Sequence, residues 1–509
     1  MKKIHVNQLG YRPQDPKRGV IPQGDATFRI LRVSDEAVVY NGTANEAVYD
    51  AASEDTVRIA EFSAVTEQGE YMLCTAEEKS YPFVIAEKPY TALRTALLDM
   101  FNYQKCGVDL ECGAWSHPAC HTQLATVYGT NKKKDVSGGW HDAGDYGRYV
   151  APAAMTVAGL LLAYELSPNP DRELPEMVWF ELEWMLKMQD SETGGVYHKV
   201  TCKQFDALDE MPQDEHEELV LSPISPTATA DFAGTMALAS RFYPEKKDIL
   251  LAAAKRAWGW CIANPNAPNF KNPADIGTGE YGDSNNKDEL FWAACELFIA
   301  TGEEAYHDVI KSGDVYSGLG WPDMGTYGLI AYLHHAKDKA NSALTEKMKK
   351  KLLAACEGIM EQYNREPYGV SLGTHYHWGS NLEVGNNAVM LLLGSQFPEA
   401  GTKYTEAALE HFHYLLGKNP LSQSYVTGFG ANTPKNPHHR PSVAVGSAVP
   451  GMVAGGPNMN TRQDPALSAH CEGLPPSKCY IDHKDSYASN EITIYWNSPV
   501  YFVAAFLGF

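Results

Sequence analysis

Between residue 4 and about residue 86, apolar and polar side chains alternate over short runs: Ile4-His5-Val6, Ala26 to Val33, Val38-Val39-Tyr40, Val57 to Phe62, Glu70 to Cys74 and Tyr81 to Ile85. A period of two puts alternate side chains on one face of a strand, so these runs predict an antiparallel sandwich. Asn41-Gly42 and Gln68-Gly69 supply hairpin-type turn residues between them. Glu87-Lys88-Pro89 breaks the alternation, and from Tyr90 the period lengthens until Leu93, Ala96, Leu97 and Met100 share one helical face. The pattern therefore divides the chain into a small all-β domain, residues 1–88, and a second domain, residues 89–509.

Helical periodicity then recurs at about 90–105, 149–166, 173–189, 227–242, 246–263, 286–301, 325–337, 344–363, 382–396, 403–417 and 496–508. Long loops rich in Gly, Pro, Asn and aromatic residues join these segments, which suggests helical hairpins closed into a toroid: a mainly α fold behind the β-sandwich. An open solenoid is the rival architecture. Against it, no unit of about 30 to 45 residues repeats, and the loops are longer than solenoid turns. Loops above about 12 residues in a compact domain usually carry function.

Composition changes this picture little: with 44% hydrophobic and 21% charged residues in 509, the chain can bury a large core. The formal net charge of −21 excludes a general attraction to nucleic acid or anionic lipid. Ten tryptophans and 28 tyrosines suit a neutral, ring-shaped ligand. No apolar run reaches the roughly 18 residues of a membrane span, and Met1-Lys2-Lys3-Ile4 does not begin a signal peptide. The ten cysteines lack the spacing of a disulfide scaffold, so reduced thiols and a cytoplasmic location are expected. A secreted chain trimmed of its signal reads the same way.

The densest chemistry lies in Ser137-Gly138-Gly139-Trp140-His141-Asp142-Ala143-Gly144-Asp145-Tyr146-Gly147. Its small residues let the backbone turn tightly around two carboxylates, Asp142 and Asp145. Trp140 and Tyr146 beside them suit sugar cleavage, in which a ring stacks on a pyranose while acids handle protons and water. A glycine-rich surface turn or a calcium loop is the plainer alternative. Two further stretches weigh against it. The segment 421–440 ends in Asn436-Pro437-His438-His439-Arg440-Pro441, stiffened by proline and able to donate to hydroxyls or a carboxylate. The second runs from Tyr480 to Glu491 into an apolar helix, so Glu491 also has a structural role as a first-turn residue stabilised by the helix dipole. The dipole lowers a carboxyl pKa, whereas a general acid needs it raised. Desolvation by Tyr495 or Trp496 must win if Glu491 is catalytic.

Together the Gly-Gly-Trp-His-Asp-Ala-Gly-Asp-Tyr-Gly run at 138–147, Ser424 through Pro437-His438-His439-Arg440, and Tyr480-x-Asp482 through Tyr487 to Asn490-Glu491 and Asn497 resemble family 9 glycoside hydrolases, the inverting cellulase family with a helical (α/α)6 toroid. The opening His5-Val6-Asn7-Gln8-Leu9-Gly10-Tyr11 resembles the immunoglobulin-like N-terminal domain of one branch. The resemblance implies that Asp145 is the general base, that Asp142 helps to hold the attacking water and that Glu491 is the general acid. It implies that His438 and Arg440 contact the sugar at the cleavage point, and that Trp378 in Tyr376-His377-Trp378-Gly379-Ser380-Asn381 is a stacking platform, with a core aromatic as the alternative. Trp496 stands where other branches carry Tyr, leaving that one contact open.

Cys106, Cys120, His121 and His141 form a two-sulfur, two-nitrogen set suited to tetrahedral zinc, and the branch that the chain resembles carries zinc here. Cys112 and His117 are the competing ligands. Ser284 with Asp288, Glu289 and Asp323 resembles the family's calcium site, though Asp288 and Glu289 also suit the opening turn of a helix. The expected protein is a monomeric inverting β-1,4-glucan hydrolase acting on cellulose fragments or soluble glucans, without organic cofactor, nucleic-acid partner or membrane. An exo-β-glucosaminidase on chitosan oligosaccharides and a catalytically idle carbohydrate-binding protein are the alternatives.

Overall fold

A computed structural model describes residues 4–22, 24 and 26–509. Its strands are β1 (Gly10–Tyr11), β2 (Arg18–Pro22), β3 (Thr27–Arg32), β4 (Val38–Thr43), β5 (Val48–Asp50), β6 (Asp55–Glu61), β7 (Gly69–Cys74), β8 (Phe83–Ile85), β9 (Ala125–Val127), β10 (Lys133–Lys134), β11 (Arg148–Tyr149), β12 (Lys199–Thr201) and β13 (Val220–Leu221). The helices are α1 (Thr91–Tyr103), α2 (Val150–Leu166), α3 (Leu174–Met188), α4 (Pro226–Ala239), α5 (Lys247–Ala263), α6 (Lys287–Thr301), α7 (Glu304–Ser312), α8 (Gly325–His335), α9 (Ser342–Tyr363), α10 (Ser380–Gly394), α11 (Lys403–Leu415), α12 (Arg440–Val445), α13 (Pro465–Cys471), α14 (Tyr487–Asn490) and α15 (Ile494–Phe506). Internal packing groups Met1–Met100 with Cys356–Phe509 in one unit and Phe101–Ala355 in a second.

In the first unit, β1-β8-β7-β3-β4 and β2-β6-β5 form two sheets, with β1 and β8 parallel and the other pairs antiparallel. Ile4, Val6, Phe28, Ile30, Phe62, Leu73 and Phe83 fill the space between them. Two expected turns are corrected. Asn41-Gly42 lies inside β4, where a Cβ on Gly42 would sit 2.3 Å from the ring of Phe28, its cross-strand partner, so this glycine makes room for a buried aromatic. Gln68-Gly69 ends a connection between the sheets, because β6 pairs with β2 and β5 whereas β7 pairs with β3 and β8. The sandwich is welded to residues 356–509 through Gln8. Its backbone N–H donates to Leu416 O (2.9 Å), its Nε2 to Ser422 O (2.7 Å), and its Oε1 accepts from Ala431 and Asn432 N–H (2.9 and 2.8 Å). Helices α10, α11 and α15 pack on one another beside it.

In the second unit α2 packs against α3 and α4, α4 against α5 and α6, and α6 against α7 and α8. The helices thus pair and advance by hairpins, as the loop lengths predict. Val150 to Ala163 of α2 and all of α4 are buried, which requires side chains that are small or apolar on every face. The eleven predicted helical segments all form, within a few residues. Helix α7, which periodicity did not single out, spans nine residues directly after α6. Short strands in the long loops add the sheet β10-β9-β13-β12-β11, and two- or three-residue strands are too brief to leave a period in the sequence.

Candidate active site

The carboxylate loop of residues 137–147 is held from several sides within the second unit. Gln104 accepts from His141 N–H (2.7 Å) and donates through Nε2 to the carbonyls of His141 and Ala143 (3.0 and 2.9 Å). The Arg148 guanidinium donates to the carbonyls of Val136 and Gly138 (2.7 and 2.6 Å), and Glu181 accepts from Trp140 N–H (2.6 Å). Gly139 has φ +79°, and a Cβ there would lie 2.6 Å from the indole of Trp184, so only glycine lets the loop lie on that ring.

Within the loop, Asp142 N–H donates to Gly147 O (2.9 Å) and closes the turn that carries both carboxylates. Asp142 is 1% exposed; its Oδ2 accepts from Tyr281 OH (2.5 Å), and its Oδ1 has no protein partner. Burial pushes the Asp142 carboxyl well above the usual range, the Tyr281 hydroxyl pulls it back, and the Asp145 charge adds to the rise. Asp145 Oδ2 accepts from Gly147 N–H (3.0 Å) and Tyr149 OH (3.4 Å). Lys199, fully buried, reaches over the Tyr149 ring and donates to Thr278 Oγ1 (3.1 Å) and Gly279 O; burial pulls its pKa down to about 8, against the opposing charge of Asp145. Tyr281 itself has φ +47°, a left-handed conformation that tyrosine rarely adopts.

The two flanking aromatics are corrected. Trp140 is 1% exposed and packs on Phe101, so it offers no face to a sugar. Tyr146 is buried too, its ring against His121 and His141 and its hydroxyl donating to Glu210 O (2.6 Å). Both serve the loop's interior, where the tight turn packs them around the buried carboxylates.

Cys106, Cys120, His121 and His141 converge, their ligand atoms all within 4.8 Å of one another. The separations are 3.9 Å for Cys106 Sγ to Cys120 Sγ, 3.7 Å for Cys106 Sγ to His121 Nδ1 and 3.9 Å for Cys120 Sγ to His141 Nε2. Zinc bonds of about 2.3 Å to sulfur and about 2.0 Å to nitrogen set tetrahedral edges of about 3.3 to 3.8 Å, so the donors fit that ion. Cys112 and His117 stay outside the cluster; His117 Nδ1 donates to Pro118 O instead (2.8 Å).

Asp288 and Glu289 do open helix α6, and both are buried. Asp288 Oδ2 accepts from Met324 N–H (2.8 Å) and Asp323 Oδ1 from Gly325 N–H (3.0 Å), while neither oxygen of Glu289 has a hydrogen-bond partner. Asp231, on the facing helix α4, is equally unpartnered. Burial holds Asp231 and Glu289 well above the carboxylate range, and the charges of Asp288 and Asp283 at Asp231, and of Asp231 and Asp288 at Glu289, add to the rise, the environment that a hard cation relieves. Ser284 is exposed, its carbonyl accepting from Asn269 Nδ2.

In the first unit, Glu491 lies before α15 and not inside its first turn. Thr493 caps that helix by accepting from Trp496 N–H (3.2 Å), and Glu491 is extended, bridged to His438 and accepting from Gly455 N–H (2.9 Å). Asp482 ties the same two segments together, accepting from the N–H groups of Lys435 and Asn436 (both 2.9 Å) and from Asn490 Nδ2 (3.1 Å). His438 Nδ1 donates to Lys484 O (2.7 Å), leaving Nε2 as an acceptor; burial pulls its pKa down to about 4, so the ring is neutral near pH 7. Arg440 is buried at the start of α12. Trp378 is 40% exposed beside Tyr487, a free aromatic face. Trp496 is not: it is 2% exposed and lies under Gly379 and Gly455, a core support for the Trp378 loop.

Tyr149, Glu181, Lys199, Glu215, Asp231 and Tyr281 escape sequence reading. Apart from Tyr149, which reaches Asp145 four residues away, each acts on a partner distant in the chain, and only the Gly-Glu-Tyr-Gly-Asp run around Tyr281 offers a local signal.

The sequence pattern described as glycosyl hydrolase family 9 matches residues 90–504, and that of the cellulase N-terminal ig-like domain matches residues 1–80. The chain is 34% identical over 547 aligned residues to a cellodextrinase of Butyrivibrio fibrisolvens, covering 99% of each. It shares 39% identity and a TM-score of 0.91 with a thermostable endoglucanase of Alicyclobacillus acidocaldarius, over 100% of both chains. A zinc-binding triple mutant of the family 9 endoglucanase J30 gives 30% identity and a TM-score of 0.91, over 97% of this chain and 99% of its own. The chain therefore belongs to glycosyl hydrolase family 9, with a cellulase-type immunoglobulin-like domain ahead of its helical catalytic region.

Proposed function

We propose that the chain hydrolyses β-1,4-glucosidic bonds of cello-oligosaccharides and related soluble glucans by a single displacement with inversion. The observation that carries this reading is the pair Asp142 and Asp145 on one constrained loop, each fixed by a tyrosine hydroxyl. Asp145 takes the proton of the attacking water, Asp142 orients that water through its unpartnered Oδ1, and Glu491 protonates the departing oxygen. Trp378 supplies a stacking face, and His438 and Arg440 polar contacts. Zinc on Cys106, Cys120, His121 and His141 would have a closed protein shell and so a structural task, pinning the loop that carries Asp142. Calcium at Asp288, Glu289 and Asp323, with Asp231 behind them, would neutralise the acidic contact between α4 and α6. The free thiols suit a reducing compartment.

NMR of the first product from cellodextrins tests the mechanism. The α-anomer is expected from the β-linkage, and a β-anomer would sink the assignment of Asp145 as base. Release of glucosamine from chitosan oligomers without action on cellodextrins would transfer the reading to the glucosaminidase.

A further inference from the structure

His121 is a buried side chain with two engaged nitrogens. Its Nδ1 faces Cys106 Sγ at 3.7 Å, and its Nε2 lies 2.7 Å from Glu215 Oε2. A carboxylate only accepts, so Nε2 carries the proton and Nδ1 presents its lone pair to the metal position. The other oxygen, Glu215 Oε1, lies 3.6 Å from Cys202 Sγ, whose thiol donates to Gln204 O (2.7 Å). Glu215 is 7% exposed and belongs to the irregular segment between β12 and β13, residues 202–219. That segment is also tied at Glu210, whose carbonyl takes the Tyr146 hydroxyl (2.6 Å), and the Tyr146 ring packs, tilted, against His121 and His141. The same face carries a cavity of about 560 Å³ with Cys120, His121 and Glu215 among its walls, so the donor cluster borders on it.

We propose that Glu215 is a positioning residue for the metal centre: it fixes the His121 tautomer, and through it the bound metal orders the 202–219 segment and the Tyr146 beside Asp145. The inference rests on the zinc reading above. A carboxylate donating electron density to a ligating imidazole raises its basicity and locks its orientation, and losing such a partner costs about 10- to 100-fold in metal affinity. The pinned segment is long and irregular; Lys203 O accepts from Gly277 N–H (2.8 Å) at its start and Leu219 O from Thr126 N–H (2.8 Å) at its end, so Glu210 and Glu215 hold its middle.

The test measures zinc affinity of the purified full chain by competition with a chromophoric chelator. Wild-type protein is expected to bind one zinc, Cys120→Ser none, and Glu215→Ala one zinc with about 10- to 100-fold weaker affinity and faster release. Glu215→Gln, whose amide oxygen still accepts from Nε2–H, should recover part of the loss and serves if the alanine variant does not fold. The cobalt(II)-substituted protein gives a signature that general loosening would not: its visible bands should shift in Glu215→Ala while their thiolate charge-transfer intensity stays. Limited proteolysis should cut within 202–219 in metal-stripped wild type and in Glu215→Ala, but not in zinc-loaded wild type. Zinc-binding wild type with wild-type affinity and cobalt bands in Glu215→Ala would overturn the role of Glu215 alone. Wild type that binds no zinc would overturn the metal reading and this inference with it.

Discussion

Asp142 and Glu491 are carboxylates placed in different surroundings. Asp142 is enclosed and hydrogen-bonded by Tyr281, whereas Glu491 is only partly buried on an extended turn. Tyr281→Phe removes the hydroxyl that donates to Asp142 Oδ2 and should lower kcat on cellodextrins by about tenfold or more, with little change in KM, since the proposed mechanism has this carboxylate hold the water. Steady-state kinetics showing an unchanged kcat would remove Tyr281 from the site. Glu491→Gln cannot donate a proton and should lose about 10²- to 10⁴-fold in turnover on poor leaving groups while retaining binding. Wild-type rates in that variant would exclude Glu491 as the acid. The carboxylates themselves were legible in the sequence because acids at glycine-rich turns are chemically conspicuous. The orientation of Trp140, Tyr146 and Trp496 was not, since burial depends on what other segments bring to the far side of the ring.

At the scale of elements, the catalytic loop depends on glycine where it crosses α3. Gly139→Ala puts a methyl into the Trp184 ring at a positive φ, so we expect a loss of about 2 kcal/mol or more, read as a lower denaturant midpoint. Unchanged stability would mean that the loop does not lie on Trp184. Helices α4 and α6 face each other with Asp231 against Glu289, a contact that is repulsive unless a cation or a proton intervenes. Removal of calcium by a chelator should lower the melting temperature, and Asp288→Asn should abolish the recovery on adding calcium back. A melting curve indifferent to calcium would withdraw the site. The longer helices were legible because their apolar patterns, striped or all round, run for about three turns or more. The five-stranded sheet within the loops, α7, and the role of Gly42 inside a strand were not, because each rests on pairing or packing and leaves too short a pattern.

For the whole molecule, buried neutral histidines set a direction for acid behaviour. Burial pulls His198 and His413 down to about 3 and His411 to about 4, below the unfolded value of about 6.5. The unfolded chain therefore binds more protons in this window. Stability from these groups is full above about pH 6.5 and is lost as pH falls toward 4, by up to about 1.4 kcal/mol per pH unit for each histidine. Denaturant unfolding at several pH values should show a shallower acid loss in His411→Gln, and an equal slope would contradict the burial of a neutral ring. The amino-acid sequence by itself determined the strand and helix periods, the change of period near Tyr90, the carboxylates of the glycine-rich loop and the cysteines and histidines that converge, because these are local patterns or residue types with few chemical uses. Tertiary structure alone decided which aromatic rings are core and which are exposed, that Gln8 joins the sandwich to residues 416–432, and that Tyr281, Lys199 and Glu215 stand behind the reacting and metal-binding groups. Those roles come from contacts between residues from 80 to more than 400 positions apart, and neither partner's local sequence carries the other's address.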